Sequence, residues 1–401
     1  MSPPVLRLTL AFDYLLSNFG RFSLMPVIAV LLASQSDGPD WIITGVGLFG
    51  HMLSSGLSSL LVTRWLPRFT YRATLPASMV FAAAGFGLLP YSGNPVVVLV
   101  LLFVAGFGIS VHAVLARVLI AEMIESETGR NTIYSIQQIA TNAAASLGPF
   151  IAAALYVSGD SRPLLAFVGG AYLLAAVALL VGLPRGQYPP EAVRERSEGF
   201  FARLKVLRDR QCREAMVLTA TGAFAYAQFY SAFALLVAFA VDSAVLRGSL
   251  LAGPPIAIVL LQVFVTAASN RVLRAGWQPL AILTAAVLLF GVAMVLLGVG
   301  LPFLVGTVIA MAVFVVAEML FTPTVSIAFN RISSVPRLVS SNLQGVAWTT
   351  GEAVGSLFGG SLFLLCWDRG AGNVYWLVLA ALTVAGAAPF VRRAVVERTV
   401  S

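Results

Sequence analysis

A few ionisable side chains lie inside long apolar stretches of the sequence, and they are the first candidates for chemistry. Asp13 lies in the stretch 6–33, Glu318 in 301–326 and Glu352 in 340–366. A charge placed in the hydrocarbon of a membrane is expensive, so such residues are functional candidates by default. A carboxyl group that meets a dry cavity and water in turn can take up and release a proton. We therefore predict that Asp13, Glu318 and Glu352 are proton-coupling residues, which take up and release protons.

Two of these carboxyl groups also have plainer interpretations. Asp13 lies in the first apolar stretch, where it could instead anchor the cytoplasmic end of a helix or cap a neighbour. Glu352 is flanked by the small residues Gly351 and Gly355, so it could form a hydrogen bond between two packed helices.

Arg21 is a cation within the same apolar stretch as Asp13. On a helix the two residues would face broadly the same way but lie roughly 12 Å apart along the axis, too far for a direct ion pair. We expect Arg21 to meet an acid from another helix or an anionic group of a substrate.

Several uncharged polar residues could complete a substrate cavity. A run of aromatic residues in 214–241 is suited to flat, apolar or cationic molecules, and we single out Tyr226 and Tyr230 from it. His51 and His112 are the only histidines, and they could either relay protons or form hydrogen bonds between helices. The other predicted cavity residues are Gln137, Asn142 and Gln344.

The composition of the chain shows what elements must position these residues. Of its 401 residues, 59% are hydrophobic and only 10% are charged, whereas roughly a quarter would be charged in a soluble protein. The mean hydropathy is +0.91. Spans of about 20 apolar residues are long enough to cross a bilayer. Twelve such stretches are separated by turn residues: 6–33, 41–63, 73–92, 95–116, 132–157, 163–183, 214–241, 248–269, 277–298, 301–326, 340–366 and 373–391.

The positions of the cations test this topology independently. Of the 25 Lys and Arg residues, only Arg162, Arg247 and Arg369 fall in the loops of one side, and Arg21 lies within the first span. All the others fall on the opposite side, which the positive-inside rule identifies as the cytoplasm. This distribution predicts that both termini are cytoplasmic. The excess positive charge, +8 in total, would therefore lie at the cytoplasmic surface of the membrane. For this reason no nucleic-acid partner is expected.

The chain has the pattern of a duplication. Gln137, Gly148 and Ala152 in the fifth span correspond to Gln344, Gly355 and Gly359 in the eleventh, at a constant offset. Parallel repeats of six helices are characteristic of one large transporter architecture. We predict an all-α membrane protein of twelve transmembrane helices in two pseudo-symmetric halves. The halves are 1–183 and 214–401, joined by a polar cytoplasmic linker at 184–213.

Three segments carry a resemblance to a known family. The loop after the second span contains Arg64, Arg68 and Arg72, the fifth span contains the pair Gly148-Pro149, and the tenth contains Glu318 followed by Pro323. With these motifs the chain resembles the major facilitator superfamily, and within it the twelve-helix drug/proton antiporters. The sequence departs from the family pattern at Pro67, where an Asp is usual, and at Leu102, where antiporters usually have an Arg.

The resemblance implies a secondary active transporter that works by alternating access. We expect proton-coupled export of small apolar or amphipathic compounds, as in multidrug efflux. One alternative is an importer or facilitator of a small metabolite, which Arg21 would favour as an anion, and a further one is a transporter-like membrane scaffold or sensor. The expected partners are a small-molecule substrate, protons and the lipid bilayer of the inner (cytoplasmic) membrane, with the chain acting as a monomer.

No residue pattern in the sequence predicts enzymatic chemistry. With two His and two Cys, the chain shows no convincing catalytic arrangement and no metal-binding cluster. There is also no phosphate-binding loop of the Walker type. We therefore expect neither catalytic residues, nor a metal, nor a cofactor.

Overall fold

The computed structural model is helical throughout the parts of the chain that it describes, which are residues 3–34, 40–62, 68–123, 127–156, 160–187, 209–332 and 337–396. In the first half the helices are α1 (Pro3–Leu24), α2 (Ile28–Ser34), α3 (Asp40–Val62), α4 (Tyr71–Gly87), α5 (Pro95–Met123), α6 (Glu127–Leu155) and α7 (Arg162–Gly182). In the second half they are α8 (Arg210–Tyr230), α9 (Ala232–Ala240), α10 (Ala244–Arg274), α11 (Pro279–Gly298), α12 (Phe303–Asn330), α13 (Arg337–Asp368) and α14 (Gly372–Val396). The all-α fold predicted from the sequence is confirmed.

Each of the twelve predicted spans coincides with a helix or with a pair of consecutive helices. Among the described residues, 7 helices are long and apolar enough to cross a membrane, or 8 if the bent pair α1–α2 is one span. A multi-pass membrane protein is therefore established, whereas the number twelve for the spans stays a prediction.

The first and seventh spans are each interrupted. α1 and α2 meet at an angle of 51°, and Pro26 lies between them, where its ring cannot donate the hydrogen bond that a continuous helix needs. α8 and α9 are separated by Ser231, whose backbone angles of φ −121° and ψ −90° are not helical. Both breaks fall in the second half of the span.

The chain folds into two compact units. One contains the described residues of 1–198 together with 234–252, and the other contains those of 199–233 together with 253–401. The first unit therefore takes up most of α9 and the beginning of α10, although the sequence assigned these residues to the second half. Most of the predicted linker 184–213 lies outside the described residues, so its boundaries stay a prediction.

Equivalent helices pack closely within each unit. In the first unit α1 packs against α6 and α7, and in the second α8 packs against α13. A Cβ atom on Gly148 of α6 would overlap the backbone carbonyl of Phe22, and one on Gly355 of α13 would overlap that of Phe224. The small residues that the sequence repeat aligns therefore serve close helix packing in both units.

Candidate functional site

Asp13 of α1 and His112 of α5 form a buried pair in the first unit. Nε2 of His112 lies 2.8 Å from Oδ2 of Asp13, and the two side chains are 8% and 0% exposed, respectively. One proton lies between these two atoms, on the imidazole or on the carboxyl group. The first unit therefore contains a carboxyl group and an imidazole joined by one buried hydrogen bond.

The surroundings of this pair are also closed to solvent. Oδ1 of Asp13 is buried and accepts no hydrogen bond from any described residue. The ring of Tyr14 meets the His112 ring edge-on, with centroids 6.3 Å apart. Because Asp13 lies near the middle of α1 and faces another helix, it does not anchor or cap a helix end, which was the plainer interpretation of the sequence.

His51 has a different environment. Its Nδ1 lies 3.1 Å from the backbone oxygen of Leu102, and since a carbonyl oxygen only accepts, Nδ1 carries the hydrogen. The imidazole also packs against Phe86, with ring centroids 5.5 Å apart. His51 thus joins α3 to α5 at Leu102, a buried leucine at the position where antiporters usually have an arginine.

Arg21 differs from Asp13 in burial. Its side chain is exposed, whereas Asp13 is fully buried on the same helix. Arg21 lies within electrostatic range of His51 and Tyr172, and none of the described carboxylates pairs with it. A guanidinium in a spanning helix is stable only where water or a counter-charge reaches it.

In the basic loop after the second span, Arg72 joins the beginning of α4 to the end of α7. Nη1 of Arg72 donates a hydrogen bond of 3.1 Å to the carbonyl oxygen of Leu183, just after α7. The hydroxyl group of Thr70 caps α4 by accepting from the backbone N–H of Ala73. Arg68 is exposed. Arg64 and Pro67 lie outside the described residues.

The second unit contains an aromatic cluster that we define as Tyr226, Tyr230, Phe314 and Trp348. The centroid of the Tyr226 ring lies 5.7 Å from that of Tyr230, 5.7 Å from that of Trp348 and 6.3 Å from that of Phe314. These residues come from α8, α12 and α13. The two tyrosines predicted from the sequence are therefore brought together, and Phe314 and Trp348 join them.

Two of the predicted acids border this aromatic cluster. The carboxyl group of Glu318 is close enough to Tyr226 to form a hydrogen bond, and Glu352 lies within electrostatic range of the same phenol. Carboxylates beside aromatic faces attract cations, because the ring quadrupole and the negative charge act in the same direction. The arrangement can therefore hold a cation with an apolar body, or hold protons on its carboxyl groups.

Gln228 is a buried polar residue that was not among the predicted sites. Its Nε2 donates to the carbonyl oxygen of Gly355 at 2.9 Å, and its Oε1 accepts from the hydroxyl group of Tyr375 at 2.6 Å. It thereby joins α8 to α13 and α14 one turn from Phe224. Its only signal in the sequence is that it is a polar side chain in an apolar span.

The remaining predicted cavity residues, on α6 and α13, are Gln137, Asn142 and Gln344. Nε2 of Gln344 donates to the Ser326 hydroxyl group at 3.1 Å, which joins α13 to α12. Gln137 and Asn142 are half-buried on α6. The described part of the chain contains no group of three or more His, Cys, Asp or Glu residues that could hold a metal ion.

Comparison with known proteins places the chain in a family. Residues 10–360 match the profile of the Major Facilitator Superfamily, whereas no curated protein matches the sequence. A peptide transporter POT bound to alafosfalin has the same fold, with a TM-score of 0.73 at 13% identity over 98% of this chain and 95% of that one.

Two further solved structures share the fold. The nucleoside transporter NupG has a TM-score of 0.70 at 13% identity, with 96% of this chain and 99% of that one covered. A bacterial homolog of the human lysosomal transporter Spinster, in an inward-facing and unoccupied conformation, has a TM-score of 0.70 at 15% identity, with coverages of 99% and 95%. Since the family profile covers most of the sequence, this chain belongs to the Major Facilitator Superfamily and is a transporter rather than an enzyme.

Proposed function

We propose that this transporter exports small apolar or amphipathic compounds in exchange for protons, by alternating access. The observation that carries the proposal is the Asp13–His112 pair, with 2.8 Å between its proton-binding atoms and no exposure of the Asp13 side chain. A carboxyl–imidazole pair enclosed by helices can bind and release a proton as its access to water changes.

The aromatic cluster and its acids support the substrate class. Tyr226, Tyr230, Phe314 and Trp348 supply aromatic faces, and Glu318 and Glu352 supply negative charge next to them. Such a surface favours an apolar, flat molecule that is neutral or positively charged. The cation and the proton would then compete for the same carboxyl groups, which is one way in which exchange arises.

Arg21 favours a second candidate, an importer or facilitator of a small anionic metabolite. It is an exposed cation in a spanning helix without a carboxylate partner among the described residues. In that case the proton and the anion would move in the same direction. A scaffold or sensor that transports nothing is the third candidate.

The polarity of a pH gradient separates these candidates. Purified protein in liposomes is tested with the aromatic cation tetraphenylphosphonium. Its charge is fixed, so an acidic lumen cannot accumulate it by protonating a neutral form. An antiporter accumulates the probe when the lumen is acidic, beyond the level in protein-free liposomes. Accumulation of an anionic solute when the lumen is alkaline would instead support import by symport, and the absence of protein-dependent flux at either polarity would contradict both.

We further propose that the chain acts as a monomer in the inner (cytoplasmic) membrane with both termini in the cytoplasm. The one-sided distribution of its arginines supports this orientation. Cysteine labelling from either side of intact cells would test it.

A further inference from the structure

A small apolar cavity lies in the first unit, apart from the residues assigned to transport above. It measures about 120 Å³. Its wall comes from the region of the α1–α2 break, the end of α6, α9 and the beginning of α10. The residues that define its character are Val27, Pro149, Ala238, Gly248, Tyr156 and Arg247.

Arg247 is the charged residue of this wall. One of its nitrogens, Nη1, donates to the backbone carbonyl oxygen of Val241 at 3.3 Å. A guanidinium has five N–H donors, and no carboxylate of the described residues lies within ion-pairing distance of this one. Arg247 therefore retains the capacity to bind a carboxylate through two parallel hydrogen bonds.

The other polar atom of the wall belongs to Tyr156. Its hydroxyl group lies 3.0 Å from Oγ of Ser34, and a phenol hydroxyl can donate one hydrogen bond as well as accept. The single hydrogen of the Ser34 hydroxyl group is donated to the carbonyl oxygen of Leu31 at 3.0 Å, so the Tyr156 phenol donates to Oγ of Ser34 and its oxygen remains an acceptor. The Arg247 guanidinium and the apolar wall together match a molecule with one anionic end and one apolar end.

The size of the cavity limits the apolar end. An engineered protein cavity of about 150 Å³ with an aliphatic and aromatic lining binds benzene. A volume of about 120 Å³ thus accommodates a group of roughly benzene size but not a whole long acyl chain.

From these features we infer that the cavity binds a small monocarboxylate with an apolar body of about benzene size, its carboxylate on Arg247 and its apolar body between α6 and α9. The bound molecule contacts the α1–α2 break and Pro149 within α6. It is therefore placed to influence the movement of these segments from a site distinct from Asp13, Glu318 and the aromatic cluster.

Ligand-detected fluorine NMR with 4-fluorobenzoate tests this assignment, with the full protein in lipid nanodiscs and empty nanodiscs as the background. The neutral analogue 4-fluorotoluene has the same apolar body without the charge. We expect saturable binding of 4-fluorobenzoate to the wild type, and weaker binding of 4-fluorotoluene.

Three variants locate the site. Arg247→Gln should weaken 4-fluorobenzoate binding by about tenfold or more, because it removes the charge-assisted hydrogen bonds to the carboxylate. Arg247→Lys retains the charge and should keep most of the affinity. Ala238→Leu fills the cavity without removing Arg247 and should abolish binding.

Arg162→Gln is the matched control, because Arg162 is an exposed arginine in the first turn of α7 and is not part of the cavity wall. It should bind 4-fluorobenzoate like the wild type. Equal binding to wild type and Arg247→Gln, or equal binding of the charged and neutral probes, would overturn the inference. So would binding of palmitate without binding of 4-fluorobenzoate, because the source of the anion would then be a lipid.

Discussion

At the scale of single residues, the two histidines have the same chemistry but different partners. His112 faces the carboxyl group of Asp13, whereas His51 faces the backbone carbonyl of Leu102. Only the first pair joins two groups that can both change protonation. Substitutions of His112 and His51 in the same unit can therefore be compared to test whether the partner of the imidazole matters.

We predict that His112→Gln lowers pH-gradient-driven accumulation by about tenfold or more, because glutamine keeps a hydrogen bond to Asp13 but cannot carry the proton. His51→Gln can still donate to Leu102 and should retain most of the activity. Transport of tetraphenylphosphonium into liposomes measures both. Equal losses in the two variants would contradict a special role for the Asp13–His112 pair.

A second prediction for a single residue concerns Glu318, whose proposed role is to attract a cationic substrate. Glu318→Gln should weaken binding of tetraphenylphosphonium by about tenfold, which corresponds to about 1.4 kcal/mol for the loss of one charge interaction. Binding of a neutral aromatic compound should change little. Equilibrium binding in detergent measures both affinities.

Glu214→Gln is the control for this variant. Glu214 forms an ion pair with Arg210 at the beginning of α8, and the Arg210 side chain is 62% exposed. An equal loss of affinity for the neutral and the charged compound in Glu318→Gln would show that the residue supports the shape of the site rather than its charge.

At the scale of helices, the small residues and Gln228 determine how the spans pack. A Cβ atom on Gly148 would overlap the backbone of α1, but one on Gly170 of α7 would meet no atom within 4 Å. Gly148→Ala should therefore destabilise the protein by about 1–3 kcal/mol, as overpacking does. Gly170→Ala should be neutral or slightly stabilising, since alanine favours the helix.

Thermal unfolding in detergent measures the difference between the two glycine variants. A similar unfolding temperature for both would mean that α1 and α6 are not held in close contact at Gly148.

The hydrogen bond between Tyr375 and Gln228 joins α14 to α8. Tyr375→Phe removes the donor and leaves Oε1 of the buried Gln228 unsatisfied, which should cost about 1–3 kcal/mol of stability. Tyr91→Phe changes a tyrosine that is 75% exposed and should leave the unfolding temperature unchanged. A Tyr375→Phe protein as stable as the wild type would show that another group satisfies Gln228.

The helices were largely predictable because apolar length, prolines and turn residues act locally. Pro26 is a visible reason for the break between α1 and α2, since proline removes a helical hydrogen bond. The break at Ser231 has no such signal, because serine is tolerated within helices and the non-helical angles there depend on the surrounding packing. The helix α9 that follows this break accordingly packs in the first unit, which a division by sequence repeat did not anticipate.

At the scale of the whole molecule, the motifs around Arg64, Gly148-Pro149 and Glu318 led to the correct family, whereas the site depends on contacts that are distant in sequence. Asp13 and His112 are 99 residues apart, and no local pattern indicates that they meet. Tyr226 could be singled out as aromatic, but its proximity to Trp348 and Glu318 follows from the packing of α8, α12 and α13. Neither set of contacts determines the direction of transport. The proposed direction depends on the proposed exchange of substrate for protons.

The most direct test of that exchange is Asp13→Asn in liposomes, compared in two assays. Asparagine keeps the size and a hydrogen bond to His112 but cannot bind the transported proton. We predict that accumulation of tetraphenylphosphonium driven by an acidic lumen is lost, while exchange of labelled for unlabelled probe at equal pH continues. Asp242→Asn, at an exposed position between α9 and α10, should retain both activities. Uphill accumulation by Asp13→Asn at the wild-type level would contradict the proposal that the Asp13–His112 pair couples transport to protons.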